Sequence, residues 1–488
     1  MLKKLRITLA VLCFTALCLA FWDVSGRLAP KLAFLAKAQL VPAALAGSLA
    51  MVAGILVATL LFGRVYCSVL CPLGVFQDIV SRLGGRRGWH FRPARPWLRV
   101  GALALFVLAI LIGIPIVFSL LEPYSAFGRM ATDIFAPVWQ TASNGLAAAS
   151  ARAETFAIGP TPVWQKGLTA LAAAILTFVV IAALAFRSGR MWCNTLCPVG
   201  TLLGWCSRYG LLRPSIDAAA CVHCGLCAKS CKASCIDASQ ATIDASRCVG
   251  CFTCLDVCPH RAITYAPARK TPVTAPKNDA PQQPDLARRT LLTTATGILL
   301  LPATALARDH TAKPAALTRK KHPSRTTPIT PPGSSGLRAF TEHCTACQLC
   351  VSACPNQVLG AFDQGAGLLQ PSLSFERGYC QVNCVTCSEV CPTGAIRPIT
   401  PAQKSATQIG RAVLDADRCI IHTDKVQCTA CSKACPTNAA ALVGPVEGER
   451  WLAIDPERCT GCGACEYVCP VHPVAAIHVE GNLEHRRI

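Results

Sequence analysis

Residues 248–259 read CVGCFTCLDVCP, so four cysteines are separated by two, two and three residues and a proline follows the last. A related stretch, CVHCGLCAKSCK, occupies residues 221–232, with Lys232 where the proline would stand. Three thiolates at this spacing wrap a loop around one [4Fe–4S] cluster, and the fourth reaches across to a second cluster. The predicted ligand sets are Cys221, Cys224, Cys227 and Cys258 for one cluster, and Cys231, Cys248, Cys251 and Cys254 for the other.

Four further motifs of this kind lie between residues 341 and 488. The first and the last have the regular spacing, whereas the two middle motifs have a longer first interval, so six clusters are expected in all. Spacing does not determine which motif donates its fourth cysteine to which cluster. Neighbouring motifs could pair, or the first could pair with the last and the second with the third. Zinc is the alternative metal, although its structural sites use C-x2-C pairs without regular third and fourth cysteines. The sixteen predicted ligands are Cys344, Cys347, Cys350, Cys354, Cys380, Cys384, Cys387, Cys391, Cys419, Cys428, Cys431, Cys435, Cys459, Cys462, Cys465 and Cys469.

The N-terminal half contains long stretches without charge, and only 15% of all residues are charged. A spanning helix needs about 20 apolar residues. We therefore predict four transmembrane helices, and for the first of them a cleaved signal peptide is the alternative. Because basic loops stay in the cytoplasm, the arginine-rich loops 64–99 and 187–217 are expected on that side. The four stretches are Ile7–Trp22, Ala38–Gly63, Val100–Leu121 and Gly167–Phe186.

Two of these stretches end in the same motif. Residues 63–74 read GRVYCSVLCPLG and residues 189–200 read GRMWCNTLCPVG, with seven of twelve positions identical. The pattern predicts two duplicated hairpins, each ending in C-x3-C-P on one face. Thiols four residues apart fall on one side of a helical turn, so two pairs could supply four soft ligands to one metal or cluster. A redox dithiol and small buried residues are the alternatives for Cys67, Cys71, Cys193 and Cys197. Cys13, Cys18, Cys206 and Cys235 are interpreted as small apolar residues.

Residues 267–340 are rich in Pro, Ala, Thr and Lys and are predicted to form a flexible linker. Within it, Arg288 and Arg289 precede a short apolar run that ends in Ala-Leu-Ala at residue 307. This pattern is typical of a twin-arginine export signal for folded proteins. Cleavage after Ala307 would release the last block, whereas an uncleaved segment would anchor it. An interfacial segment in a disordered linker is the alternative.

Several function classes leave no trace in the sequence. There is no C-x-x-C-H motif for covalent haem and no dinucleotide fingerprint. The formal charge of +21 counts every cysteine as neutral, so it does not predict nucleic-acid binding. A quinol site would need a proton acceptor. Glu122, Asp78 and Asp133 are the candidates at helix ends, although solvated interface charge is the simpler interpretation of each.

Residues 1–266 resemble the NapH-type membrane ferredoxins on their duplicated C-x3-C-P motifs and two cluster motifs. Residues 285–488 resemble the NapG/MauM-type ferredoxins on their twin-arginine leader and four cluster motifs. The resemblance implies an α-helical membrane domain of four transmembrane helices in duplicated hairpins, joined to α+β ferredoxin-like 4Fe-4S domains. The expected domains are a membrane domain at 1–215, a two-cluster ferredoxin at 216–266, a linker at 267–340 with the signal-like segment 287–307, and a four-cluster ferredoxin at 341–488.

The same resemblance implies a multi-pass protein of the bacterial inner membrane whose last domain is periplasmic. Electrons would pass from the membrane quinol pool toward a periplasmic reductase, such as nitrate reductase, or a c-type cytochrome. At most the chain would be one component of a quinol dehydrogenase. The alternatives are a cysteine-rich assembly factor for a partner metalloenzyme and a membrane-tethered polyferredoxin lying wholly in the cytoplasm.

Overall fold

The computed structural model of this chain is about half helical. The predicted export segment 287–307, with Arg288 and Arg289, lies outside the residues that the structure describes. Described residues on both sides of it belong to one compact unit. The described residues are 1–23, 25–84, 90–152, 159, 161, 163, 167–267, 320–362, 367–444 and 450–488.

The chain up to residue 210 is built from helices. A π-helical turn, Ala131–Phe135, joins the ninth helix to the tenth. The helices are α1 (Leu2–Trp22), α2 (Ala29–Lys37), α3 (Leu40–Leu45), α4 (Leu49–Phe62), α5 (Tyr66–Val69), α6 (Pro72–Leu83), α7 (Pro96–Ile112), α8 (Pro115–Leu121), α9 (Pro123–Met130), α10 (Ala136–Arg152), α11 (Leu168–Ser188), α12 (Met191–Thr195) and α13 (Pro198–Arg208).

Among the described residues, two helices are long and apolar enough to cross a membrane, namely α1 and α11 with 21 residues each. The prediction of four such helices is wrong for the other two apolar stretches. The stretch 38–63 is divided into α3 and the 14-residue α4, since Gly47 between them adopts a left-handed φ of +71°. In the stretch 100–121, α7 ends at Gly113 with φ +76° and Pro115 begins α8. Glycine in this conformation ends helices, and proline cannot continue the hydrogen-bond ladder.

The duplicated sequence folds into a duplicated structure. After α4 and again after α11, a glycine of positive φ ends the helix, at Gly63 (+70°) and Gly189 (+61°). A short helix then carries the first cysteine, α5 in one copy and α12 in the other. The second cysteine of each motif caps α6 or α13 in an extended conformation. The two cysteines of a motif therefore do not share one helical turn, contrary to the sequence interpretation.

The first cysteine block, residues 212–267, consists of short elements around two loops. Strand β1 (Leu212–Ile216) pairs antiparallel with β4 (Ile263–Pro267), so the start and the end of the block lie side by side. Strands β2 (Ile236–Asp237) and β3 (Thr242–Ile243) form a second hairpin. The helices are α14 (Leu226–Ser230) and α15 (Thr253–Val257).

The second cysteine block, residues 320–488, repeats the strand pairing of the first block once. Its strands are β5 (Leu359–Ala361), β6 (Pro371–Leu373), β7 (Thr407–Leu414), β8 (Ala440–Val443), β9 (Trp451–Ile454) and β10 (Ile477–Arg487). Strand β7 pairs antiparallel with β10 and β8 with β9, as β1 pairs with β4 and β2 with β3, and β5 pairs antiparallel with β6. The helices are α16 (Leu337–His343), α17 (Leu349–Ser352), α18 (Thr386–Val390), α19 (Pro401–Ser405), α20 (Ile420–Thr423), α21 (Ala430–Ala434) and α22 (Ala464–Val468).

The end of the predicted linker belongs to this second block. Ile329 is fully buried, and its carbonyl accepts a hydrogen bond of 2.9 Å from the Leu373 backbone N–H. Arg325 Nη2 forms a buried ion pair of 2.6 Å with Glu466 Oε1. Composition alone places the linker end at residue 340, but these contacts show that residues 325 and 329 already pack within the second block. Tertiary packing overrides the proline-rich composition here.

Helix α1 contacts both cysteine blocks, one at each end. Near its N-terminus, Lys3 Nζ lies 3.0 Å from Asp256 Oδ2 of the first block. Just past its C-terminus, Gly26 packs so closely on the second block that an added Cβ would lie 2.7 Å from the Ala353 carbonyl oxygen. A helix of 21 residues is about 30 Å long. The two blocks therefore lie at opposite ends of α1.

Helix α11 has the same relationship to the two blocks. At its N-terminal end, Ala170 is buried against Ala346 of the second block. Just past its C-terminal end, the Arg190 backbone N–H donates a 2.8 Å hydrogen bond to the Lys232 carbonyl of the first block. The two blocks thus lie at opposite ends of α11, as they do at opposite ends of α1.

Candidate iron–sulfur centres

Two cavities in the first cysteine block are lined by cysteines. The first is lined by Cys221, Cys224, Cys227 and Cys258. The second is lined by Cys231, Cys248, Cys251 and Cys254, together with Cys235. The structure therefore brings together the two sets that the spacing predicts, with the last cysteine of each motif at the other motif's cavity. Their role as cluster ligands stays a prediction.

The backbone explains this crossing. In five of the six motifs the third cysteine lies in a short helix that ends at the fourth cysteine in an extended conformation, as at Cys258 (φ −75°, ψ 110°) and Cys391 (φ −62°, ψ 118°). The helix that carries Cys350 ends one residue earlier, at Ala353. A following proline excludes the helical conformation from the preceding residue, so the C-P dipeptide turns the fourth thiol away from its own loop. Cys231 is also extended, with φ −82° and ψ 97°, although Lys232 follows it.

Cys235 is a residue that the sequence analysis missed. It is 1% exposed, lines the second cavity, and its Sγ lies 3.6 Å from the Sγ of Cys231. Four residues after the last cysteine of a motif, the other five motifs have Ala262, Val358, Ala395, Ala439 and Pro473. A comparison of the motifs at this register would have found that Cys235 is the cysteine among them.

In the second block, each cavity combines cysteines of neighbouring motifs. Three cavities each have four cysteines in their walls. This arrangement favours the neighbouring pairing of motifs over the nested one. The three sets are Cys354, Cys380, Cys384 and Cys387; Cys419, Cys428, Cys431 and Cys469; and Cys435, Cys459, Cys462 and Cys465.

The remaining set is Cys344, Cys347, Cys350 and Cys391. Burial raises the pKa of the first three thiols, that of Cys347 to about 12, and the nearby charge of Cys391 contributes to each of these shifts. Such thiols stay protonated unless a positive centre stabilises the thiolate. Three buried thiols and the half-buried Cys391, from two loops, are a donor set that an iron–sulfur cluster requires. Among the described residues, no group of three His, Cys, Asp or Glu converges as a single metal ion requires.

The C-x3-C-P cysteines of the two repeats come together in the helical half. Cys67, Cys71, Cys193 and Cys197 are each 4–5% exposed, and we call them the thiol tetrad. The four are electrostatic neighbours across the two repeats. Gln77 Nε2 donates a hydrogen bond of 3.2 Å to Cys193 Sγ, and the Gly200 N–H donates one of 3.3 Å to Cys197 Sγ.

The arginines of the repeats are exchanged between the two copies. Arg64, from the first copy, donates from Nη2 to the Cys193 carbonyl at 3.2 Å. Arg190, from the second copy, donates from Nη1 to the Cys67 carbonyl at 2.7 Å. Both side chains are fully buried. The G-R-x-x-C pattern thus places each arginine beneath the cysteine of the other repeat.

The glycine that ends each repeat makes room for this exchange. A Cβ added to Gly74 would lie 2.5 Å from Nη1 of Arg190, and one added to Gly200 would lie 2.9 Å from Nη2 of Arg64. Any larger residue would push the arginine of the other copy away. The conserved positions within the internal repeat therefore form one interlocked site.

Profiles of 4Fe-4S protein families match most of these regions. A profile described as a 4Fe-4S binding domain matches each of the two C-x3-C-P repeats, and a 4Fe-4S dicluster domain matches twice within the second block. Two shorter 4Fe-4S binding domain profiles match the first block. The matched residues are 44–90 and 170–216, 343–395 and 418–472, and 218–234 and 240–263.

Curated relatives agree with these matches. The chain is 30% identical over 171 residues to the methylamine utilization ferredoxin-type protein MauM of Methylobacillus flagellatus, which covers 34% of this chain and 73% of MauM. It is 31% identical over 155 residues to the ferredoxin-type protein NapF of Escherichia coli, which covers 32% of this chain and 87% of NapF. The chain belongs to the ferredoxin-type protein family.

A weaker similarity of 28% over 178 residues connects this ferredoxin-type protein to MauN of Paracoccus denitrificans, with 35% of this chain and 48% of MauN covered. No solved structure matches the chain. The matches establish iron–sulfur binding domains and an electron-transfer role.

Asp78 connects the helical half of this ferredoxin-type protein to its first cysteine block. Its carboxylate lies 2.7 Å from Arg190 Nε, 3.1 Å from Arg6 Nη1 and 3.0 Å from Lys232 Nζ. Burial opposes ionisation, but the charges of Arg190 and Lys232 outweigh it and hold the pKa of Asp78 below its usual range. The lysine that replaces the motif proline is thus an ion-pair partner of the helical half.

The three candidate proton acceptors are not solvated interface charges, contrary to the simpler interpretation. Asp78, Glu122 and Asp133 are 8%, 1% and 4% exposed. Glu122 caps α9 by accepting hydrogen bonds from the backbone N–H groups of Tyr124, at 3.0 Å, and Ser125. A carboxylate at a helix N-terminus is a stabilising cap, so a structural role accounts for Glu122.

Proposed function

We propose that this protein carries electrons across a bacterial inner membrane, from membrane quinol toward a reductase or c-type cytochrome on the periplasmic side. The observation that supports this function most strongly is the placement of the two cysteine blocks at opposite ends of α1 and α11. An electron carrier that serves both faces of a membrane needs redox centres on both faces.

The surface of the two long helices supports a membrane location. Only 33% of the most apolar window of α1 and 28% of that of α11 is buried within the protein. Large apolar side chains such as Leu12, at 62% exposure, and Leu176, at 66%, point outward. Core helices of soluble proteins bury such faces, whereas lipid-facing helices expose them. The broken pairs α3–α4 and α7–α8 would complete a multi-pass domain as discontinuous spans.

Charge supports the proposed orientation. The first block adjoins the arginine-rich loops at the ends of α4 and α11, and such basic loops favour the cytoplasmic side. The second block would then be periplasmic, and the predicted twin-arginine segment supplies a route for exporting it folded. Six [4Fe–4S] clusters would carry one electron at a time, and each quinol oxidised releases two electrons and two protons.

Protease protection in spheroplasts tests the orientation. One variant carries an epitope tag after Ile488, and its matched control carries the same tag after Pro267, at the end of the first block. The proposal expects external protease to remove the C-terminal tag and to spare the internal one. Protection of both tags would mean that both blocks lie in the cytoplasm.

Electron transfer is tested with the full chain in proteoliposomes. Addition of a quinol under anaerobic conditions is expected to bleach the iron–sulfur absorbance, and a membrane-impermeant acceptor on the side of the second block is expected to restore it. The same acceptor on both sides of empty liposomes is the control. Clusters that stay oxidised after addition of the quinol would contradict the proposal. Transfer of iron from this protein to a metal-free partner enzyme would indicate an assembly factor.

A further inference from the structure

We propose that Cys235 is an alternative ligand for the cluster predicted in the second cavity of the first block, where it can replace Cys231. Five cysteines line that cavity, one more than a four-thiolate cluster uses. The family profiles match residues 218–234 and 240–263 of this block, so neither match includes Cys235. The inference requires a cluster in this cavity, but neither the quinol donor nor the orientation proposed above.

A recurrent turn places the residue at this register beside the fourth cysteine of its motif. The Ser234 N–H donates a 2.9 Å hydrogen bond to the Cys231 carbonyl, and Ser234 adopts a left-handed φ of +51°. The same bond and conformation recur in three other motifs, at Arg261, Gln357 and Asn438. The residue after each of these turns lines the same cavity as the fourth cysteine, namely Ala262, Val358 and Ala439. The fold therefore places the Cys235 thiol where these motifs have apolar side chains.

The two sulfur atoms are close enough to exchange one position on the cluster. Cys235 Sγ lies 3.6 Å from Cys231 Sγ, and the two residues are 1% and 6% exposed. In the exchange, the bond from iron to Cys231 Sγ breaks, the bond from iron to Cys235 Sγ forms, and the Cys235 proton moves to Cys231. No oxidant or reductant is needed, because one thiolate replaces another.

The two ligands are attached to different parts of the protein. Directly after Cys231, the Lys232 carbonyl accepts a 2.8 Å hydrogen bond from the Arg190 N–H of the helical half. The Cys235 carbonyl instead accepts a 2.9 Å hydrogen bond from the Asp244 N–H within the first block. Ligation by Cys231 therefore connects the cluster to the helical half, whereas ligation by Cys235 keeps it within the block. The exchange lets the block retain its cluster when its contact with the helical half loosens.

The test uses the full chain purified under anaerobic conditions. Cys231→Ala removes the ligand that the spacing predicts, and Cys231→Ala/Cys235→Ala removes the alternative ligand as well. Cys258→Ala is the matched control, because it removes the fourth cysteine of the other cavity, where Ala262 stands at the register of Cys235. Readouts are iron and acid-labile sulfide per chain, and low-temperature paramagnetic resonance during a redox titration.

Cys231→Ala is expected to keep the iron, the sulfide and the number of signals of the wild type, with one signal shifted in potential. The double variant and Cys258→Ala are each expected to lose at least one iron atom per chain. Equal iron loss in Cys231→Ala and the double variant would overturn the inference, and so would full iron content in the double variant. The proposed function fails in a different way, with all clusters present but unresponsive to quinol.

A second pair of variants covers the case in which Cys231→Ala does not accumulate. Cys231→Ser keeps the size of the side chain, and Cys231→Ser/Cys235→Ala differs from it only in the alternative ligand. Both proteins are incubated with an iron chelator, and the iron that remains bound is measured over time. The single variant is expected to retain its iron longer than the double variant. Equal rates of iron loss would overturn the inference.

Discussion

Lys232 Nζ lies 3.0 Å from Asp78 Oδ2, although the two residues belong to different parts of the chain. Lys232 directly follows Cys231, which lines a cluster cavity of the first block, and Asp78 lies in α6 behind the thiol tetrad. The contact explains why lysine stands where the other motifs have proline. Cys231 is extended without a following proline, and lysine at this position forms an ion pair between the first block and the helical half.

Replacing Asp78 with asparagine should loosen this link. Three buried cations would lose their counter-charge, and removing one partner of a buried pair typically costs about 3–5 kcal/mol. Hydrogen exchange should show faster opening of the first block and of α6. The control is Asp256→Asn, whose ion pair with Lys3 is exposed and is worth about 1 kcal/mol or less. Unchanged exchange in the Asp78 variant would contradict the link.

Replacing Lys232 with methionine should change a redox potential. The ammonium group lies next to Cys231 and acts electrostatically on Cys251. Losing a positive charge disfavours the reduced cluster, so one potential should fall by roughly 20–60 mV, where about 59 mV corresponds to a tenfold change for one electron. Redox titration monitored by paramagnetic resonance measures the shift. Lys229→Met removes an exposed lysine of the same block and should leave every potential in place.

Cys235 should tune the same cluster. Its thiol, 3.6 Å from Cys231 Sγ, can donate an S–H···S hydrogen bond to a cluster-bound thiolate, and such bonds raise cluster potentials. Cys235→Ala, which introduces the residue found at this register in three of the other motifs, should lower one potential and keep the iron content. Cys235→Ser retains a donor and should shift the potential less. Loss of iron from the alanine variant would instead identify Cys235 as a ligand.

His485 should make the second block sensitive to acid. Burial lowers the pKa of His485 to about 4, and its Nε2 lies 2.9 Å from Thr330 Oγ1. The folded state keeps the imidazole neutral while the unfolded chain takes up a proton. Stability should therefore fall as the pH drops below about 6.5, by up to about 1.4 kcal/mol per pH unit until the folded pKa is reached.

The measurement is the denaturation midpoint of the holo-protein between pH 7.5 and pH 5.5. His485→Gln should flatten the dependence, and His343→Gln, an exposed histidine of the same block, should leave it unchanged. A variant at residue 485 with the same slope as the wild type would show that other groups cause the acid sensitivity.

The sequence predicted the parts of this protein that local chemistry determines. The spacing of Cys221 to Cys231 and of Cys248 to Cys258 was sufficient to name two thiol sets, because each loop wraps one cavity and the fourth cysteine leaves it in an extended conformation. The longer intervals around Cys384 and Cys428 remove that restraint, so the pairing of motifs in the second block required the fold.

Other features depend on contacts between distant residues. Asp78 is buried against Arg6, Arg190 and Lys232. No sequence pattern predicts that these distant residues come together. The break between α7 and α8 could have been predicted from the sequence, because Gly113 and Pro115 are residues that end helices. A prediction from hydropathy alone treats the whole stretch 100–121 as one helix. The exchange of Arg64 and Arg190 between repeats follows from the three-dimensional pairing of the two copies.

Electron transfer by this protein requires thiol sets that hold iron–sulfur clusters able to exchange electrons. The most direct test is the iron and acid-labile sulfide content of the anaerobically purified full chain, combined with its visible absorbance before and after addition of a quinol. We expect brown protein with four iron and four sulfide for each four-thiol set of the two blocks, bleached by the quinol. Colourless protein that lacks sulfide, or that contains zinc in place of iron, would contradict the account.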